Sequence, residues 1–166
     1  MLNNNIGWVT VAHSFSQGQS VYNSARQVIG MCSKSLYQGT VDAAFCRSTD
    51  ANYAPVNNLP GGASLSTSTV NLISGMDVAL YGGKTIVASA GVITDLIFSF
   101  NTESNIYLTD VALGDYWAQD GDSGGPIVHS QNGVNYVVGI HHGLYGNSAV
   151  IIKESNIRSS LGAVRY

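Results

Sequence analysis

Gly121-Asp122-Ser123-Gly124-Gly125-Pro126 is the stretch on which the reading of the fold turns. A serine hydroxyl is a weak nucleophile until a neighbouring base accepts its proton. Its attack on a carbonyl creates an oxyanion, which needs preorganised N–H donors. Glycines on both sides of Ser123 let the backbone turn sharply and aim the N–H groups of Gly121 and Ser123 at one point. A lone Gly-x-Ser-x-Gly carries little weight. Six residues in this order carry more, provided a base and a group to orient it lie elsewhere in the chain.

Both lie upstream. Residues 7–14, Gly7-Trp8-Val9-Thr10-Val11-Ala12-His13-Ser14, read as an apolar strand that delivers an imidazole to its end. Residues 41–45, Val41-Asp42-Ala43-Ala44-Phe45, place a carboxylate at the start of another apolar strand. With the Ser123 loop, these segments resemble the chymotrypsin-like (trypsin-type) serine proteases, in their bacterial form. The first is similar to that family's strand ending in Thr-Ala-Ala-His, with Val11 in place of the first alanine. The second is similar to its Asp-hydrophobic-Ala segment. The order His13, Asp42, Ser123 is the chymotrypsin order, not that of subtilisin or the α/β-hydrolases. The resemblance implies a triad in which His13 is general base and then acid, Asp42 holds the His13 tautomer, and Ser123 attacks the carbonyl. It implies an oxyanion hole built from Gly121 and Ser123. Taken singly, His13 reads as a satisfied core histidine, Asp42 as a turn aspartate and Ser123 as a loop serine.

Composition bounds the alternatives. The chain has 166 residues, enough for one domain with a sizeable core. Only 10% of them are charged, 45% are hydrophobic and 19 are glycine, a profile that suits a β-rich domain and argues against disorder. The net charge of −3 comes without a basic run, so no nucleic-acid partner is expected. No apolar stretch reaches the roughly 20 residues of a membrane span. Met1-Leu2-Asn3-Asn4-Asn5 lacks the basic and apolar regions of a secretory signal, while the resemblance implies a secreted protein. Cys32 and Cys46 flank a hairpin, as a cross-strand disulfide or as two thiols. There is no Cys-x-x-Cys, and His141 and His142 would point to opposite faces of a strand. No metal and no cofactor are therefore expected.

Strand signals recur over 7–12, 19–22, 27–33, 41–46, 76–81, 84–93, 105–113, 126–130, 135–142 and 147–152. Gln131-Asn132-Gly133 signals a hairpin turn. Ser155 would cap a helix over 156–161 that stops at Gly162. The expected fold is all-β, with two packed antiparallel β-barrels and a short C-terminal helix. Residues 1–50 would form the first barrel, 51–68 the linker and 69–166 the second barrel with the helix. Only 12 residues precede His13, so the first barrel is expected to be partial, with an unpaired edge.

The resemblance also reaches the substrate side. Gly139-Ile140-His141-His142-Gly143 is similar to the strand that pairs with the substrate backbone. Counting back from Ser123 places the base of the primary pocket near Trp117 and Asp120 at its mouth. The substrate-binding set is therefore Trp117, Asp120, Ile140, His141, His142 and Gly143. A preference for uncharged residues on the acyl side follows, because Trp117 supplies no carboxylate for a lysine or arginine. The equivalent of Asp122 pairs in that family with a new N-terminal amine or an arginine; Arg26, Arg47, Arg158 and Arg165 are the candidates. The resemblance implies a serine endopeptidase acting on proteins or peptides through an acyl-enzyme. The alternatives are a non-catalytic, protease-like binding module or inactive fragment, and an esterase using the same site. The sequence does not give the oligomeric state.

Overall fold

Residues 41–46 are all buried, and the strand sorts them by parity. In the computed structural model, which describes residues 1–2, 5–85 and 87–164, they lie on an inner strand of a sheet. That antiparallel sheet contains β1 (Gly7–Thr10), β2 (Ser20–Tyr22), β3 (Val28–Gln38) and β4 (Val41–Ser48), in the order β1-β4-β3-β2. Side chains alternate along a strand. Val41, Ala43 and Phe45 enter the core between the two halves of the molecule, with Leu108, Val111, Val150 and Ile152. Ala44 and Cys46 join a smaller cluster with Ala12 and Cys32. Asp42 shares their parity, which sets it beside the chain that follows β1.

The β3–β4 hairpin turns at Gly39, whose φ of 57° suits glycine. Its register sets Tyr37 opposite Asp42 and Cys32 opposite Cys46. The two cysteines form a disulfide with an S–S distance of 2.03 Å, which resolves the choice the sequence left open.

The other half is a closed antiparallel barrel. Its strands are β5 (Asp77–Leu80), β6 (Ser89–Asn101), β7 (Tyr107–Gly114), β8 (Pro126–Gln131), β9 (Val134–Tyr145) and β10 (Ser148–Lys153), in the order β10-β7-β6-β5-β8-β9. Val78, Leu80, Ile93, Ile127, Val138 and Ile151 fill its interior. Each such side chain, fully buried, stabilises the fold by about 1.5–3 kcal/mol. The β8–β9 turn uses Asn132 and Gly133 at φ 53° and 77°, as the dipeptide signals. The first sheet, by contrast, is open and four-stranded.

Two expectations need correction. A strand was expected over 84–93, but β6 begins at Ser89. The backbone N–H groups of Lys84 and Thr85 turn instead to the Asp122 carboxylate. The helix α1 (Glu154–Leu161) starts ahead of the cap expected at Ser155 and has no side-chain N-cap. It follows β10 without a loop: Lys153 still pairs with Gly139, and its Nζ reaches Asp110 at 2.5 Å. Gly162 ends the helix at φ 71°, its N–H donating to Arg158 O. Ile157 and Leu161, one turn apart, bury in the core between the two halves.

Candidate active site

β1 ends with Thr10 opposite Ala44, and the chain runs on beside β4. Ala12 and His13 thus arrive at Asp42, and both backbone N–H groups donate to its Oδ1 at 2.8 Å. His13 Nδ1 lies 2.7 Å from Oδ2. Asp42 is fully buried. Burial pushes its carboxyl up, but the hydrogen bonds from His13 and His142 outweigh this and hold it at about 2. An ionised Asp42 keeps the proton on Nδ1 of His13. Nε2 is then left with a lone pair, the form a general base requires.

A second imidazole shares this carboxylate. His142 Nδ1 lies 2.6 Å from the same Oδ2, and its ring meets that of His13 edge-to-face, with centroids 5.1 Å apart. Its neighbour His141 faces the other way, as strand alternation requires, and its Nδ1 lies 3.0 Å from the Tyr116 hydroxyl. Burial pulls the His141 pKa down to about 4, so this ring is neutral at neutral pH. The ligand-capable atoms of His13, Asp42 and His142 lie within 4.8 Å of one another. Tetrahedral zinc at about 2.0–2.2 Å from each ligand would hold them roughly 3.4 Å apart. The N···O separations of 2.6 and 2.7 Å are those of shared protons, and the carboxylate already receives four donors.

The Ser123 loop meets this cluster from the barrel side. Gly121 and Gly124 have φ of 97° and 87°. A Cβ on Gly124 would lie 2.3 Å from Thr10 Oγ1, so only glycine lets the loop abut the strand leading to His13. Among the described residues, the N–H groups of Gly121 and Ser123 enter no hydrogen bond, which leaves both free for a ligand oxygen. Ser123 Oγ donates to the carbonyl of His142 at 3.0 Å, and no hydrogen bond joins it to His13. His13 and Asp42 are thus coupled directly, while Ser123 reaches them through His142.

Asp122 anchors the loop differently from the expectation of an arginine partner. Its buried carboxylate accepts the N–H groups of Lys84 and Thr85 at 2.8 Å, that of Gln119 at 3.0 Å, and the Thr85 hydroxyl. Burial pushes the carboxyl up, and these donors outweigh it, holding it at about 2. Gly82 permits the approach, since a Cβ there would lie 2.2 Å from Asp122 Oδ1. Arg26, Arg47 and Arg158 take no part, and Arg165 lies outside the described residues.

Ile140 is buried opposite Pro126, and the His141 backbone bonds Gly124 and Gly125; beyond His141, β9 pairs only with β10 among the described residues. Its other edge is open over 142–145, and nothing crowds Gly143. Trp117 is 61% exposed, between buried Tyr116 and Ala118. Asp120 is exposed, as is Asp115, whose Oδ1 accepts the Val92 N–H.

Solved serine proteases superpose on nearly the whole chain. The Cellulomonas bogoriensis chymotrypsin matches 97% of it over 89% of its own length, with a TM-score of 0.77 and 20% identity. A glutamic acid specific serine protease, described as using a novel histidine triad in substrate binding, matches 100% over 89%, with TM-score 0.80 and 22% identity. The Nocardiopsis protease NAPase matches 98% over 86%, with TM-score 0.77 and 21% identity. The fold is chymotrypsin-like. No protein-family model and no curated protein sequence matches the chain.

Within that chymotrypsin-like fold, sequence reasoning missed three things: the contact of His142 with Asp42, the closure of loop 82–85 over Asp122, and the Tyr116–His141 pair. Alternation along β9 carried a partial signal, since it sends His141 and His142 to opposite faces. Which groups wait on each face depends on how the sheet and barrel dock.

Proposed function

We propose that the chain is a serine endopeptidase that hydrolyses peptide bonds through an acyl-enzyme, with Ser123 as nucleophile, His13 as general base and Asp42 as its orienting carboxylate. The observation that carries this reading is the buried Asp42 carboxylate, 2.7 Å from His13 Nδ1 and backed by two N–H donors, beside a Gly-rich serine loop. The N–H groups of Gly121 and Ser123, unbonded among the described residues, support an oxyanion hole at this loop. The open edge of β9 offers an extended peptide a strand to pair with. The substrate would be a protein or peptide outside the cell, the setting of a secreted enzyme.

A second reading has support from one contact. Ser123 Oγ donates to the His142 carbonyl instead of His13, as in a non-catalytic module whose serine is not activated. Productive binding would require a peptide on β9 to take that carbonyl and release Ser123 toward His13.

A fluorophosphonate probe separates the two, because only an activated serine reacts. Labelling of the native chain, lost in Ser123→Ala, is the expected result, with hydrolysis in that variant slower by about 10³-fold or more at unchanged folding. No labelling of the folded native chain would favour the module. Hydrolysis of esters without peptides would make it an esterase on the same site.

A further inference from the structure

Asp42 Oδ2 receives two imidazole Nδ1 groups, His13 at 2.7 Å and His142 at 2.6 Å. A carboxylate oxygen has two lone pairs, so the two rings saturate it. Oδ1 is saturated likewise by Ala12 and His13 N–H. The carboxylate is therefore held by four donors and cannot rotate away from His13 without breaking several of them.

We infer that His142 is a positioning residue for the proposed triad, one that pins Asp42 against His13 and couples the protonation of the two rings through the carboxylate they share. The inference rests on the protease reading for its kinetic consequence, though not for the coupling itself.

In the neutral state, the proton His142 gives to Oδ2 withdraws negative charge that His13 would otherwise feel alone. In acid, one carboxylate faces two bases whose centroids are 5.1 Å apart, and a proton on either ring opposes a proton on the other. The other groups around His142 are few. Tyr37 on β3 lies 6.2 Å away by ring centroid, and Phe100 on β6 forms an apolar wall at 5.7 Å. Behind β9 stands His141, held neutral by burial. Glu103, between β6 and β7, acts on Tyr37. Of these, only Asp42 and His13 touch the His142 ring through hydrogen bond or edge contact with a charge to exchange.

His142 also joins the nucleophile to this pair. Its imidazole is on Asp42 and its carbonyl accepts Ser123 Oγ at 3.0 Å. A shift of the residue would be felt at both ends of the proposed machinery.

The test compares the native chain with His142→Asn, which keeps an N–H donor near Nδ1 without a titrating ring, and with His142→Ala, which removes the donor. The readouts are the pH dependence of kcat/KM on a peptide substrate, kcat and KM at neutral pH, and NMR titration of the histidine rings. The native acid limb is expected to be broad, in two steps, and that of the asparagine variant to be a single step. In the alanine variant the limb should move up by about half a pH unit or more, and kcat should fall by roughly 10-fold with KM little changed. Asparagine should restore most of that kcat. Equal acid limbs and equal kcat in all three would overturn the inference and leave His142 a packing residue. If the native chain shows no serine-dependent activity, the protease reading fails alone, and NMR decides the coupling. Mutual inflections in the His13 and His142 ring signals support it, and independent single steps reject it. Should the alanine variant not fold, the asparagine variant alone still distinguishes two steps from one.

Discussion

The Asp122 carboxylate accepts the backbone N–H of Thr85 at 2.8 Å, and the Thr85 hydroxyl donates to its other oxygen. A short loop between β5 and β6 thus fixes the residue next to Ser123. Thr85→Val keeps the shape and the backbone donors but removes the hydroxyl donor. Hydrogen bonds to charged groups contribute about 1.5–3 kcal/mol, so urea unfolding at neutral pH should show a loss in that range. Asp122 is held below its ordinary value, so its contribution is present above about pH 4 and is lost as pH falls towards 2. The difference between native and variant should therefore shrink in acid. A variant as stable as native at neutral pH would mean the hydroxyl contributes nothing.

Asp42→Asn should cost on the order of 10⁴-fold in kcat near neutral pH, the loss expected when a triad histidine takes the wrong tautomer. In this chain an amide nitrogen at Oδ2 would face two Nδ1–H donors at once, so one or both rings must change tautomer. Steady-state kinetics on the folded variant provide the check. Retention of more than a tenth of native activity would remove Asp42 from the proposed mechanism.

His141 predicts an acid weakness. Its pKa is about 4 in the fold, lowered by burial, against about 6.5 in an unfolded chain. The unfolded state therefore binds the proton first, and stability falls as pH drops from about 6.5 to about 4, by up to about 3 kcal/mol. His141→Gln, which offers Tyr116 an amide partner, should flatten that dependence. Urea midpoints measured at several pH values between 4 and 7 compare the two chains, and parallel curves would clear His141.

The acyl-side preference should be for uncharged residues. Asp115 and Asp120 are exposed, and the Asp115 carboxylate is engaged by Val92 N–H. His141 is neutral at neutral pH. None of them is the buried charged partner that a lysine, arginine or glutamate side chain would need once desolvated. Peptides varied at that single position decide the matter. Cleavage ten-fold or more faster after lysine or arginine would point to one of the two aspartates, and after glutamate to an imidazole that protonates when substrate binds.

Much of the candidate site was legible because its chemistry is local. A nucleophile loop needs glycines at fixed offsets, and Gly121 and Gly124 do adopt positive φ. The strand that presents His13 and the one that carries Asp42 each announce themselves by an apolar run. The partner of Asp122 was not legible, because backbone N–H groups leave no mark in a sequence: every residue but proline has one. The positions of the arginines carry no trace of a loop that turns its amides inward. The helix start was misplaced for a related reason, since β10 leads into α1 without the loop that would have made Ser155 a cap.

The sequence by itself determined the β architecture, the turns and the C-terminal stop at Gly162, since these follow from periodicity and backbone preference over a few residues, and it offered candidates for the proposed base, orienter and nucleophile. The tertiary structure alone decided that Cys32 and Cys46 are bonded, that Asp122 is held by loop 82–85, and that His142 shares Asp42 with His13. The physical reason is distance along the chain. Asp42 and His142 are 100 residues apart. They meet only because the inter-sheet core docks β4 against the barrel with β9 at its face, a packing outcome that no local pattern encodes.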